Sequence, residues 1–156
     1  MEVGTIFSFV ATICSCFLFA SPLSEVHSCY ASKSTKGQSP VPFVCIWLSC
    51  CLWILYGIKI VAVVVIFVNV IGCALSMYYI FLWTQITHGT EKVQLYLLLL
   101  GAGGFIVWAT LYTHAIVGPF GETDYLPWIA TIVTVLMFAS PLIVMVRFLH
   151  LSITLI

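Results

Sequence analysis

Charge is what this chain lacks. Lysine and arginine number 5, aspartate and glutamate 5, and charged residues together make up 6% of the 156 positions. Soluble domains carry roughly 25% charge, so this composition cannot clothe a water-facing surface. The few cations are scattered and the formal net charge is zero, which excludes a nucleic-acid partner. A secretory signal peptide is excluded as well. Glu2 stands where a basic n-region would be, and no small-residue cleavage pattern follows the first apolar run. A disulfide framework is also missing. Of the 7 cysteines, Cys14, Cys16, Cys45, Cys50, Cys51 and Cys73 lie in apolar runs, where a thiol behaves as a small hydrophobe. Cys29 alone falls in a polar stretch, with nothing to pair to.

Long apolar runs fill the space that charge leaves, and 63% of the residues are hydrophobic. Crossing the hydrocarbon takes about 20 apolar residues, and four runs reach about that length or more, enough for five spans. The first is Thr5 to Leu23, followed by a polar stretch, Ser24 to Ser39. The next run, Pro42 to Leu82, is too long for one span, and Tyr56-Gly57-Ile58-Lys59 reads as a tight turn inside it. That divides it into a second span, Pro42 to Gly57, and a third, Val61 to Trp83. A loop from Thr84 to Lys92 precedes the fourth, Leu95 to Val117. A Gly/Pro-rich loop from Gly118 to Asp124 precedes the fifth, Pro127 to about Val146. The pentapeptide Phe-Ala-Ser-Pro-Leu occurs twice, at Phe19 to Leu23 and Phe138 to Leu142, 119 residues apart. Each copy closes an apolar run. A proline recurring with both its neighbours at one depth of two helices indicates a duplicated membrane unit, whose second copy has barely begun at Ile156.

Orientation follows from the cations. Lys33, Lys36, Lys92 and Arg147 follow odd spans, whereas only Lys59 follows an even one. The positive-inside rule therefore places the N-terminus outside and the Lys33/Lys36 loop in the cytoplasm.

Residues able to carry chemistry are few. His114 is the one histidine inside a span and no carboxylate shares the membrane with it, so no catalytic or metal-ligating set emerges. Cys14-Ser-Cys16 lacks the Cys-x-x-Cys spacing of thiol oxidoreductases. No enzyme activity and no cofactor is expected. Asn69, the single asparagine, lies mid-span in Val-Asn-Val-Ile-Gly. An amide there must find partners, since hydrocarbon offers none. It is either interhelical glue or a ligand group, and two donors with two acceptor lone pairs would suit a hydroxyl-rich neutral substrate. Ser49 and Trp53, four apart, share one face of the second span. Trp53 is open to two roles, a member of the interfacial aromatic belt or a surface for stacking a sugar ring. Pro22, Pro42 and Pro141 each remove a backbone donor near one end of a span, which makes kinks or hinges there.

Taken in order, Phe-Ala-Ser-Pro-Leu (19–23), Lys-Ser-Thr-Lys-Gly-Gln-Ser-Pro-Val-Pro-Phe (33–43), Leu-Ser-Cys-Cys-Leu-Trp-Ile-Leu-Tyr-Gly (48–57) and the Asn69-x-x-Gly72 pair resemble the SWEET sugar transporters of the MtN3/saliva family. The resemblance covers residues 1–84, weakens through the fourth span and returns at Ser140-Pro141-Leu142. It implies an all-α membrane protein: 1–84 a first triple-helix bundle, 85–125 a linker transmembrane helix and loop, and 126–156 the first helix of a second bundle. The parallel-repeat arrangement, with an axis along the membrane normal, is taken over from that family. The activity implied is bidirectional, facilitated diffusion of a mono- or disaccharide by alternating access.

By the same resemblance Asn69, Trp53 and Ser49 match substrate-contacting positions, and Leu18 and Met137, each four residues before a repeat proline, match positions that tune substrate size. Tyr56 matches a gate tyrosine, and Pro22, Pro42 and Pro141 match hinge prolines. The family's remaining spans would fall beyond Ile156, so the chain is expected to be C-terminally incomplete, as a splice form, a truncated gene or a degenerate copy. The alternative function is a non-transporting isoform that associates with full-length paralogues and modulates them. Expected partners are a sugar, the lipid bilayer and a second SWEET chain, and the expected location is the plasma membrane or a Golgi-type endomembrane.

Overall fold

The computed structural model describes residues 3–35, 38–113 and 125–135. Its helices are α1 (Val3–Ala20), α2 (Leu23–Ala31), α3 (Val41–Lys59), α4 (Val63–Ile86) and α5 (Gly89–Tyr112). A shorter apolar helix, α6 (Leu126–Val135), follows. No strand occurs among the described residues. Four stretches are long and apolar enough to cross a membrane: Phe9–Ala31, Val41–Lys59, Val63–Ile86 and Gly89–Tyr112. The expected fifth span is described only as far as Val135. Met137 and Pro141 lie outside the described residues.

Three boundaries differ from the sequence expectation. The Ser24 to Ser39 stretch is not all loop, because α2 runs through its first half. Its polar composition hid an apolar face: Val26 and Cys29, three apart, are 1% and 0% exposed against the bundle. Cys29 is therefore a buried helix residue and not a loop thiol. The expected turn at Tyr56–Lys59 is still helix, and the reversal comes at Ile60 to Ala62. Gly57 proves to be a packing glycine, since a Cβ there would stand 2.9 Å from Ile66 Cγ1 of α4. Val61 makes the reversal instead, at φ 57°, a left-handed conformation that a β-branched residue adopts only under strain. The fourth span begins six residues early, at Gly89 rather than Leu95. Thr90 and Glu91 are exposed, Lys92 is half-buried, and the three form its first turn, where Glu91 complements the helix dipole.

α4 is the middle of the bundle. It packs most extensively on α3 and also carries α1 and α2, while α5 lies against α3. Its closest approaches need Gly72: a Cβ there would fall 2.6 Å from Phe19 Cε2 on α1 and 2.7 Å from Cys50 Sγ on α3. Below this level Phe43 of α3 sits between Tyr79 and Trp83 of α4, with ring centroids 5.5 Å and 5.4 Å away. Such aromatic contacts contribute about 0.5–1.5 kcal/mol each beyond buried area.

Pro22 divides α1 from α2, as its chemistry requires. Lacking an N–H, it leaves the Leu18 carbonyl without an i+4 donor. Ser21 takes that carbonyl through its backbone N–H (3.4 Å) and its Oγ (2.9 Å). The next carbonyl, Phe19 O, accepts from Tyr79 Oη on α4 at 2.8 Å. The join is thus held by side chains. Pro42 behaves differently. It stands in the first turn of α3, where a proline removes no ladder bond, so it starts that helix without kinking it.

Candidate functional site

A cavity of about 420 Å³ opens between α1, α3, α4 and α6, within the usual range for small-molecule sites. Leu18 and Pro22 come to it from α1 and the break after it, Pro42, Ser49 and Trp53 from α3, and Asn69 from α4. Ser15, Ser21 and Thr134 complete its polar lining. The chain thus brings four of the sequence candidates and two of the three prolines to one place. Among the described residues no ionisable side chain lines it. The chemistry available is hydrogen bonding and ring stacking, which suits a neutral polar ligand and offers nothing for proton transfer.

Thr134 organises one side. Its hydroxyl donates to Ala130 O at 2.8 Å within α6. With its hydrogen committed, its two lone pairs accept from Trp53 Nε1 at 3.1 Å and from Ser49 Oγ at 2.8 Å. The hydroxyl is saturated, and α6 is pinned to α3. Apolar contacts reinforce the pin: Leu52, Ala109, Leu126 and Ala130 are buried together, 0–4% exposed, where α3, α5 and α6 meet. Sequence reading missed Thr134 because one hydroxyl in an apolar span carries no local signal. The repeat did carry one, since the offset that matches Leu18 with Met137 also matches Ser15 with Thr134.

Asn69 holds the opposite wall. Its Nδ2 donates to Val65 O, one turn back on its own helix, at 2.9 Å. That bond fixes the amide's orientation without joining two helices, so the glue reading has no bond to support it here. Tyr56 does not line this cavity. Its ring stands edge-on to Trp53 at 5.8 Å and packs with the α3–α5–α6 cluster. The thiols form no redox centre. Cys51 and Cys73 approach only to a 3.9 Å contact between their sulfurs, and every described cysteine is free.

Comparison with known proteins adds the decisive observation: residues 5–91 match the family described as sugar efflux transporters for intercellular exchange, MtN3/saliva. The chain belongs to that family. It is similar to the bidirectional sugar transporter SWEET9 of Arabidopsis thaliana, 28% identical over 149 residues that cover 92% of this chain and 57% of that protein. The bidirectional sugar transporter N3 of Medicago truncatula is 27% identical over 139 residues, 87% of this chain and 52% of N3. The sugar transporter SWEET1 of Drosophila pseudoobscura pseudoobscura is 31% identical over 137 residues, 86% of this chain and 60% of that protein. The chain spans about half the length of these relatives. Family membership and the four long apolar helices together make this MtN3/saliva member an integral, multi-pass membrane protein.

Proposed function

We propose that this chain takes part in bidirectional, facilitated sugar transport, with a mono- or disaccharide held in the cavity between α1, α3, α4 and α6. The observation that carries the reading is the convergence of Asn69, Ser49, Trp53 and Leu18 from three helices on one uncharged cavity. Asn69 gives directional hydrogen bonds, Trp53 an aromatic face, and Leu18 a limit on the ligand's width. Residues 1–84 act as one triple-helix bundle, 85–125 as linker and 126–156 as the start of a second bundle, with Met137 tuning substrate size as Leu18 does. Tyr56 serves as a gate on the far side of Trp53, and Pro22, Pro42 and Pro141 as hinges. The N-terminus lies outside, in the plasma membrane or an endomembrane of the Golgi.

The test is radiolabelled glucose and sucrose counterflow in proteoliposomes, comparing wild type with Asn69→Ala. Loss of counterflow in a variant that still inserts and unfolds at the wild-type temperature is expected. Undiminished counterflow in Asn69→Ala would falsify the ligand assignment.

A second reading keeps the same cavity and adds a partner chain. In it, the chain pairs with another copy or with a full-length paralogue, which supplies the facing wall of the cavity or is modulated by the pairing. Single-molecule bleaching in liposomes separates the two, because flux from particles that bleach in one step contradicts the need for a partner.

A further inference from the structure

A second hollow, about 510 Å³, lies between α1 and the start of α4 and is open along one side, where Val63 and Val64 are 70% and 52% exposed. It is not the cavity described above, but the two share a wall: Ser15, Val68 and Asn69 line both. The first cavity reaches from this wall toward Pro22 and Pro42, and the second reaches from it toward Ala62 and Val65. The two therefore adjoin at Ser15, Val68 and Asn69, the first on the Pro22 side of that wall and the second on the Ala62 side.

Polar groups suited to a polyol meet in the second chamber. Thr12 and Ser15, three apart on α1, share its lining with Asn69. Ser15 makes no hydrogen bond among the described residues. Its counterpart in the repeat, Thr134, has every bonding position filled. Asn69 commits Nδ2 to Val65 O, which leaves its carbonyl oxygen to accept from a ligand. No side chain caps α4, whose first residues also border the chamber. The remaining lining is small or β-branched, namely Ala11, Val63, Val64 and Val65 among others, so a ring can slide without being gripped.

We propose that this chamber is a second sugar station, held by Thr12 and Ser15, to which Asn69 hands a saccharide across the shared wall. The inference rests on the sugar-transport reading and adds a site to it. A single file of two weak stations divides one long desolvated step into two shorter ones, with Val68 as the apolar sill between them.

The experiment is equilibrium dialysis of the purified full chain against radiolabelled glucose and, separately, sucrose. Wild type should bind two sugars per chain. Thr12→Val keeps the side-chain shape and removes the hydroxyl, and should weaken one of the two sites about 3- to 10-fold, as the loss of one net hydrogen bond implies. Thr12→Ser should restore it. Thr131→Val, the matching position on α6, should bind as wild type does. One sugar per chain, unaffected by Thr12→Val but lost in Asn69→Ala, overturns the second station and leaves the transport reading standing. No sugar bound to wild type at any concentration overturns both. Equal weakening by Thr12→Val and Thr131→Val means a general effect on packing, and also overturns the proposal.

Discussion

Removing one oxygen atom, in Tyr79→Phe, tests how the break at Pro22 is held. Tyr79 is fully buried, and its hydroxyl donates to the Phe19 carbonyl at 2.8 Å. Hydrogen bonds between membrane helices average only about 0.6 kcal/mol, because their groups find other partners when separated. This one should exceed that average. Phe19 O lies in the turn broken by Pro22, where the backbone ladder stops and α2 starts afresh at Leu23. A buried carbonyl left without a donor costs about 1–3 kcal/mol. Partial relaxation of the α1–α2 join brings the expected loss to about 1–2 kcal/mol, or about 2–8 °C in Tm for a chain of this size. Tyr78→Phe is the control, since Tyr78 is 41% exposed and donates to no carbonyl described here. The assay is thermal unfolding in detergent, followed by tryptophan fluorescence and by protection of Cys29 from alkylation. Cys29 should become reactive at a lower temperature in Tyr79→Phe, because α2 is the element that the latch steadies. A Tyr79→Phe protein as stable as wild type, or a Tyr78→Phe protein equally weakened, would refute the reasoning.

Other expectations follow from the close contacts. Gly72→Ala should destabilise by about 1–3 kcal/mol through overpacking, because its Cβ would meet both the Phe19 ring and Cys50 Sγ. Gly57→Ala meets Ile66 Cγ1 at 2.9 Å, a milder overlap than the 2.6 Å and 2.7 Å at Gly72, so its Tm should fall by less than half as much. Val61→Gly should raise stability by up to about 1 kcal/mol, since glycine relieves a left-handed strain of about 1–2 kcal/mol and returns part of that as unfolded-state entropy; an unchanged or lower Tm would contradict this. In a cysteine-free background, Ile60→Cys should react with an impermeant thiol reagent applied outside intact cells and Ser34→Cys should not, and the reverse pattern would invert the topology.

The helices were legible because the bilayer demands length and apolarity, and a run of either kind stands out in any window. Their ends were harder to read, for identifiable reasons. α2 is amphipathic rather than apolar, so Glu25, His27 and Ser28 masked the buried pair Val26 and Cys29. Gly57 suggested a turn, because a glycine needed for close packing and one needed for a positive φ are the same letter. The strained residue, Val61, has nothing in its identity to announce it. Ser49 and Trp53 were placed on one face by spacing alone, and both reach the cavity. Leu18 came only through family resemblance, as its side chain is ordinary. Thr134 and Tyr79 escaped notice because what matters about each is a partner 60 to 85 positions away.

Thr134 gives the cavity an occupant of its own. One hydroxyl, anchored to a helix carbonyl, already engages the indole N–H and the serine that a visiting polyol would seek. On the sugar-transport reading proposed above, an incoming ring would exchange hydroxyl for hydroxyl, so little net enthalpy would be gained from that wall however well the ligand fits. Molecules without hydroxyls have nothing to trade, and those with many can never be gripped hard from this side. A tethered stand-in of this kind tunes the cavity toward selective recognition with shallow affinity, where release is nearly as easy as entry.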